Sequence, residues 1–182
     1  LYSHIPVIFL TAKNALDSKI QGLESGADAY IEKPFSLEFL MVQIRNILKN
    51  RNIVKNYFTS SPSSKLLDIN VSAPDKDFIS QLNTVIYENI SAIDLNVDEL
   101  AKLMNMSRPT LYRKIKGLSD LTPNELINIS RLKKAAELLT QKEYNITQIS
   151  TMVGYTVQSN FSRDFHKHYG MPPSSYIIEN SK

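Results

Sequence analysis

The stretch ITQISTMVGYTVQSNFSRDFHKHYG, residues 146 to 170, has the pattern of two short helices joined by a tight turn. Gly154 stands at the turn, where glycine can adopt left-handed backbone conformations at little steric cost. Phe161 and Phe165 lie four residues apart and therefore share the inward face of the second helix. The side chains left on its outward face are polar or basic: Gln158, Ser159, Asn160, Ser162, Arg163 and Lys167. The stretch predicts a helix-turn-helix.

The same layout occurs about 50 residues earlier, in VDELAKLMNMSRPTLYRKIKGL, residues 97 to 118. Ser107 can cap a second helix whose inward residues are Leu111 and Ile115. Its outward face carries Arg108, Thr110, Tyr112, Arg113 and Lys116. Leu103 and Met152, near the ends of the two first helices, are predicted to point inward as well.

From residue 75 onward the chain has no strand-like alternation, and capping boxes are predicted at Asn96 with Glu99, Thr122 with Glu125 and Asn145 with Gln148. The predicted helices are 76–90, 97–104, 108–117, 123–140, 146–153, 157–169 and 173–179. The fold class is therefore mainly α, an all-α domain with two helix-turn-helix units over residues 75–182.

Such helices have the chemistry of DNA recognition. An exposed helix fits the major groove, where Arg pairs with guanine and Gln or Asn with adenine. Ser, Thr and Lys can bind phosphates and fix the register. Two units on one scaffold can enter successive major grooves about 34 Å apart. The alternative is a helical scaffold for protein interaction or dimerisation, with polar αα-corners and little affinity for DNA.

Residues 75–182 resemble the DNA-binding domain of the AraC/XylS transcription factors, most specifically in VGY…SNFSRDFHKHYGMPPSSY. The resemblance implies a monomeric two-headed domain that binds double-stranded DNA. It maps the base-reading positions onto Pro109, Tyr112 and Arg113 in the first head and onto Gln158, Ser159 and Arg163 in the second. Pro109 departs from the pattern because it cannot hydrogen-bond a base edge, so specificity in the first head would depend on Arg113 and Tyr112.

Residues 1–52 alternate strand and helix. PVIFL (residues 6–10) and AYI (residues 29–31) are predicted parallel strands, with a helix near 17–25 between them. Ser36 can cap a second helix with an apolar stripe that reaches Leu48. Two strands alone leave unpaired edges and too little core. Residues 53–74, which include TSSPSS, are predicted to be a linker.

The sequences IPVIFLTAK and GLESGADAYIEKPF resemble the last two β-α units of the flavodoxin-like receiver domain of two-component response regulators. The resemblance implies that Thr11 bonds a phosphoryl oxygen and that Lys33, followed by a cis bond to Pro34, pairs with the phosphate. Tyr30 takes the aromatic position that turns inward on phosphorylation. The acceptor Asp and the acidic pair that binds Mg²⁺ belong to earlier strands. We therefore expect a C-terminal fragment of a response regulator or a hybrid sensor kinase, with no cofactor of its own.

The composition sets further limits. The 182 residues include no Cys, and 42% are hydrophobic. No signal peptide or membrane-length apolar run is present, which predicts a cytoplasmic protein. The sequence shows no nucleophile elbow, P-loop or HExxH motif, so it predicts no enzyme; phosphotransfer would need the longer parent. The expected partners are DNA, a histidine kinase or phosphodonor domain, and a second copy in a homodimer formed through the receiver.

Overall fold

The computed structural model describes residues 6–12, 29–59 and 72–180. The predicted helix near 17–25 lies outside these residues. The described elements are β1 (Ile8–Ala12), β2 (Ala29–Lys33), α1 (Leu37–Thr59), α2 (Ala73–Glu88), α3 (Val97–Leu103), α4 (Arg108–Ser119), α5 (Pro123–Gln141), α6 (Ile146–Met152), α7 (Gln158–Tyr169) and α8 (Pro173–Glu179). This order confirms the predicted fold class, a mainly helical chain with a small α/β segment at its start.

The two strands are parallel, as predicted, and pair in register from Ile8 opposite Ala29 to Ala12 opposite Lys33. Each extends two residues beyond its predicted end, which brings Thr11 and Lys33 into the paired region. Val7, Phe9 and Leu10 remain about 40% exposed. The two described strands therefore do not bury the apolar run that belongs, by its composition, inside a larger sheet.

Amide hydrogen exchange should show that the two strands are incompletely buried. In the isolated chain we expect the amides of β1 and β2 to exchange through local openings that cost far less than global unfolding, because few apolar contacts hold the strands. The amides of α5, which lies in the helical core, serve as the internal reference. Hydrogen exchange followed by mass spectrometry measures both, and equal protection of the strands and α5 would contradict the expectation.

Helix α1 corrects the predicted linker. Residues 53–74 were expected to be irregular from their start, whereas α1 continues to Thr59. Val54 and Phe58 lie four residues apart on one face, and both are buried in the core of the helical part. The weak periodicity of this segment hid a short apolar stripe among Lys and Asn residues. One continuous helix thus begins beside the small sheet and ends inside the helical core.

The helical part has two apolar clusters that share α5. The first cluster contains Val54, Phe58, Ile79, Leu82, Leu100, Leu111, Ile115 and Leu126, among others. The second contains Leu132, Ala135, Leu139, Ile149, Val153, Phe161 and Phe165, among others. Because the start of α5 packs in the first cluster and the rest in the second, this helix connects the two helix-turn-helix units.

The helix ends agree with the sequence in two of three predicted capping boxes. Thr122 with Glu125 and Asn145 with Gln148 both form the reciprocal pair of hydrogen bonds. Asn96 caps α3 by accepting from the Asp98 and Glu99 amides. The second hydrogen bond of this predicted capping box, from the Asn96 amide to the Glu99 carboxylate, was wrong. The Glu99 carboxylate instead accepts a hydrogen bond from Lys102 at 3.1 Å. Helix α2 begins at Ala73 rather than 76, after the cap Ser72.

Val54→Ala tests whether α1 belongs to the helical core. Val54 is fully buried, so removing two methyl groups and leaving a small cavity should cost about 2 kcal/mol of unfolding free energy. Asn52→Ala, at an exposed position of the same helix, is the control and should change stability by no more than about 0.5 kcal/mol. Urea unfolding monitored by circular dichroism compares the two, and a Val54 variant as stable as the control would separate α1 from the core.

Candidate nucleic-acid interface

The first helix-turn-helix consists of α3, a four-residue turn (residues 104–107) and α4. Asn105 in the turn has a φ of 52°, a left-handed conformation that Asn tolerates better than most residues. The Met106 amide donates to the Ala101 carbonyl at 2.9 Å and closes the turn. Leu111 and Ile115 are buried, as predicted, and fix α4 against the core. The predicted inward position of Leu103 was wrong, since its side chain is 38% exposed.

The predicted groove-facing residues of α4 differ in their contacts. Arg108 is paired with Asp98 of α3 at 3.3 Å, and the hydroxyls of Thr110 and Ser107 are 2.7 Å apart. Pro109 is exposed and Tyr112 is half-buried. Arg113 is exposed, and among the described residues no carboxylate lies within ion-pairing distance of its guanidinium. Arg113 is therefore a cation on α4 that is available to a ligand.

Lys116 takes a different position from the one predicted. Its Nζ donates to the Asp120 carbonyl at 2.6 Å and lies 3.4 Å from the Asp120 carboxylate. Its side chain is only 17% exposed. A cation at this place stabilises the carboxyl end of α4. The structure thus gives Lys116 a role within its own helix, and the phosphate contact predicted for it stays a prediction.

The second helix-turn-helix repeats this geometry in α6, its turn and α7. Gly154 has a φ of 78°, and the Tyr155 amide donates to the Ser150 carbonyl at 2.9 Å to close the turn. Phe161 and Phe165 are fully buried, as predicted. Met152 was predicted to point inward, but its side chain is 36% exposed, like that of Leu103 at the end of α3. The last residue of each first helix thus lies at the edge of its unit.

The outward face of α7 is exposed over most of its length. Ser159, Asn160 and Lys167 are exposed. The Thr147 hydroxyl donates to the Gln158 side-chain oxygen at 2.7 Å, which holds the amide at the start of the helix. The Arg163 side chain is 71% exposed, and its Nε donates to Asp164 at 3.3 Å, so its terminal nitrogens point outward from that anchor. Gln158 and Arg163 are thus both oriented by neighbours that no sequence pattern singled out.

Arg113 and Arg163 occupy equivalent places. Each is the sixth residue of its helix, between two buried residues that fix the helix orientation: Leu111 and Ile115 in α4, Phe161 and Phe165 in α7. Both arginines therefore project from the same side of their helix-turn-helix unit. The two units that repeat in the sequence therefore also place this arginine in the same way.

Aromatic side chains near α7 form core rather than a stacking surface. The rings of Tyr155, Phe161, Phe165, Tyr169 and Tyr176 contact one another with centroids 4.6 to 5.6 Å apart. Burial raises the pKa of the Tyr155 phenol well above its ordinary value, and Asp164 adds to the rise. Burial likewise lowers the pKa of the half-buried His168, with a smaller effect from Lys133. The phase predicted for Phe161 and Phe165 is confirmed.

The residues assigned by resemblance to a phosphate switch lie around the carboxyl ends of β1 and β2. Thr11 and Lys33 are on neighbouring strands, one register position apart. The Thr11 hydroxyl is buried and has no hydrogen-bond partner among the residues that the structure describes. The Lys33–Pro34 peptide bond is cis, and the Tyr30 ring packs edge-on against Phe9 with centroids 6.3 Å apart. Over the described residues no three His, Asp or Glu side chains converge as metal ligands, so this set does not fit Mg²⁺ by itself.

Comparison with known proteins supports this geometry. A family model described as a helix-turn-helix domain matches residues 100–177. The solved C-terminal domain of AraT, a response regulator from Geobacillus stearothermophilus, is 31% identical, with a TM-score of 0.53, over 60% of this chain and 88% of that one. A transcriptional regulator of the AraC-type DNA-binding class from Chromobacterium violaceum shares the fold, with a TM-score of 0.56 at 23% identity, over 61% of this chain and 98% of that one.

A longer relative extends the similarity into the small sheet. "Histidine kinase P4" from Formosa agariphila is 38% identical over 174 residues, which are 96% of this chain and 13% of that protein. The chain therefore spans a small part of this relative's length. In the described residues, no helix has the length and apolar character to cross a membrane. Taken with the two equivalent recognition helices, these similarities show that residues 100–177 form a helix-turn-helix domain with the fold of AraC-type DNA-binding domains, and they support a role in DNA-binding transcription regulation.

Proposed function

We propose that the chain reads two successive major grooves on one face of a DNA duplex, one with α4 and the other with α7. The observation that carries this proposal is the pair of exposed arginines, Arg113 and Arg163, at equivalent places of two helix-turn-helix units joined by one helix. An Arg at such a place can donate two hydrogen bonds to the major-groove edge of guanine. Two such contacts, each in its own groove, give one monomer a two-part recognition sequence.

The remaining outward residues have supporting roles in this proposal. Gln158 presents its amide nitrogen, because its oxygen already accepts from Thr147, and it suits a base acceptor such as adenine N7. Lys167, Ser159 and Asn160 can bind phosphates and fix the register of α7. Tyr112 and Pro109 offer apolar contacts near the start of α4, while Arg108 and Thr110, exposed in its first turn, can bind phosphates.

Selection from a random duplex library tests the function directly. The chain is expected to enrich a motif with two conserved blocks about one helical turn apart. Affinity for the winning duplex should fall steeply with salt, because each phosphate contact releases counterions. A protein-interaction module with little DNA affinity, the alternative function, predicts no enriched motif and no salt-dependent binding.

We further propose that the DNA-binding part is the output end of a two-component phosphorelay. Thr11 and Lys33, which the resemblance to a receiver assigns to a phosphoryl group, lie one register position apart on neighbouring strands, and this placement supports the proposal. The 38% identity to a histidine kinase, which runs through this segment, supports the same origin. The apolar groove of about 330 Å³ between β1 and α1, lined by residues such as Ile8, Leu10 and Ile44, is the surface that further receiver strands would cover. We place this activity in the cytoplasm, with a kinase or phosphodonor domain and a second receiver as partners.

Helix α1 gives such a receiver a direct route to DNA binding. It begins four residues after Lys33 and packs its last two turns against α4, the first recognition helix. Lys55 of α1 lies 3.7 Å from Asp120 at the end of α4. A displacement of α1 on phosphorylation would therefore act on α4 first. In a longer protein that contains a complete receiver, acetyl phosphate should raise DNA affinity, and Lys33→Ala should abolish that increase without changing the basal affinity.

A further inference from the structure

A polar junction joins the two helix-turn-helix units. Helix α5 carries Asn128 and Arg131 one turn apart, and both side chains reach neighbouring segments. We use the term junction for Asn128, Arg131, Gly154, Tyr155 and the carbonyl of Ala92. Its members come from the loop before α3, from α5 and from the turn before α7, so both units contribute to it.

Arg131 connects α5 to the first unit. Its Nη2 donates to the Ala92 carbonyl at 2.7 Å, in the loop that leads into α3. The side chain is half-buried, and burial lowers the pKa of its guanidinium. Removing such a charged group from water has a cost that a short charge-assisted hydrogen bond offsets. The contact is therefore specific in geometry, and Arg131 holds this loop at a fixed distance from α5.

The same guanidinium packs against the turn of the second unit. A Cβ atom at Gly154 would lie 2.7 Å from the Ile90 carbonyl oxygen and 2.8 Å from Arg131 Nη2. The first unit's loop, the guanidinium and the second unit's turn are thus in direct contact, without room for a methyl group. Interfaces packed this closely do not deform continuously.

Tyr155 extends the junction to the second recognition helix. Its hydroxyl donates to the Asn128 side-chain oxygen at 2.7 Å and lies 3.4 Å from a carboxylate oxygen of Asp164 in α7. The other oxygen of Asp164 accepts from Arg163 Nε at 3.3 Å. A continuous set of polar contacts therefore runs from α5 to Arg163, the residue proposed to read a base.

We propose that the junction fixes the relative orientation of α4 and α7 and so sets the spacing of the two recognition blocks on DNA. This inference rests on the proposed two-groove function. Adding one base pair between the blocks shifts one of them by about 3.4 Å and rotates it by about 35°. Two rigidly joined helix-turn-helix units cannot adjust to this shift and rotation, whereas units that orient independently can adjust to part of it. The junction thereby determines specificity without contacting DNA.

The test compares duplexes in which the two selected blocks are separated by the optimal number of base pairs, by one fewer or by one more. The parent chain should lose about tenfold in affinity or more for either change, as it does when a base contact is lost. Arg131→Met combined with Tyr155→Phe keeps an unbranched side chain at 131 and the ring at 155, and it removes the polar contacts. For this variant the loss should shrink to about threefold or less, while affinity for the block read by α4 alone stays unchanged.

Matched controls come from the same part of the chain. Lys134→Met with Tyr144→Phe likewise replaces a basic side chain by Met and a Tyr by Phe, but outside the junction, and should keep the parent's spacing preference. If the junction variant also keeps it, the inference is overturned. If the parent binds both blocks but tolerates every spacing, the inference is likewise overturned and the proposed function stands. If the parent recognises one block alone, the proposed two-groove function fails, and with it the inference.

A measurement without DNA separates orientation from folding. The sequence has no Cys, so Lys102→Cys in α3 and His166→Cys in α7 provide two unique sites for spin labels on exposed residues. Double electron–electron resonance should give a narrow distribution of distances between the two labels in the parent and a broader one in the junction variant. Circular dichroism should show equal helix content in both. An unchanged distribution in the folded variant would overturn the inference.

Discussion

Gly154→Ala is expected to lower the unfolding free energy by about 2–5 kcal/mol, more than the same substitution at Gly117 or Gly170. Two costs combine at this position. The φ of 78° is left-handed, which an alanine adopts only with strain of about 1–2 kcal/mol. The added Cβ would also lie 2.7 Å from a backbone oxygen, Ile90 O, which cannot move without displacing the loop before α3. Urea unfolding monitored by circular dichroism measures the loss.

Two other glycines separate these costs. Gly170 has a φ of 75°, but a Cβ atom added there would have no neighbouring atom within 4 Å, so Gly170→Ala should show the backbone strain alone, about 1–2 kcal/mol. Gly117 lies within α4, and a methyl there would only touch Arg51 at 3.9 Å. Gly117→Ala should therefore be neutral or stabilise by up to about 1 kcal/mol. Equal losses at Gly154 and Gly170 would show that the close packing of the junction does not exist.

Arg113→Ala and Arg163→Ala should each weaken binding to the selected duplex by about 1–3 kcal/mol, or roughly five- to 150-fold. Each substitution removes a donor pair proposed to contact one guanine. The loss should be accompanied by relaxed preference at one block only, the block read by α4 for Arg113 and the block read by α7 for Arg163. Fluorescence anisotropy with duplexes mutated in one block or the other measures both effects.

Lys167→Ala is the matched control for these two variants. Lys167 is an exposed cation of α7 like Arg163, but its proposed partner is a phosphate. Its removal should weaken binding to all sequences equally and reduce the salt slope by about one. If Arg163→Ala behaved in the same way as Lys167→Ala, Arg163 would be a phosphate contact and the base-reading assignment would be wrong.

The sequence predicted the helical units well because their signals are local. Phe161 with Phe165 and Leu111 with Ile115 mark the buried face of each recognition helix at a spacing of four. Ser107, Thr122 and Asn145 mark three helix starts through short-range hydrogen bonds. These features depend on neighbours within one or two turns, so a single sequence contains the information needed to find them.

What the sequence did not predict depends on contacts between distant residues. Arg131 meets Ala92 across 39 positions, and Arg108 pairs with Asp98 only because the turn folds α4 beside α3. Lys116 is a basic residue of the kind that contacts DNA, but it binds Asp120 at the end of its own helix. The continuation of α1 to Thr59 was missed because its apolar residues find their partners in α4 and α5. The periodicity of one segment contains no information about partners that lie far away in the sequence.

Guanine methylation interference on the selected duplex tests the central claim most directly, because methylation at N7 blocks the groove edge that an arginine would contact. For the parent chain we predict two clusters of interfering guanines on one face of the duplex, centred about 10 base pairs apart. One cluster should disappear in Arg113→Ala and the other in Arg163→Ala. A single cluster, or two clusters that both persist in each variant, would contradict the assignment of α4 and α7 to successive major grooves.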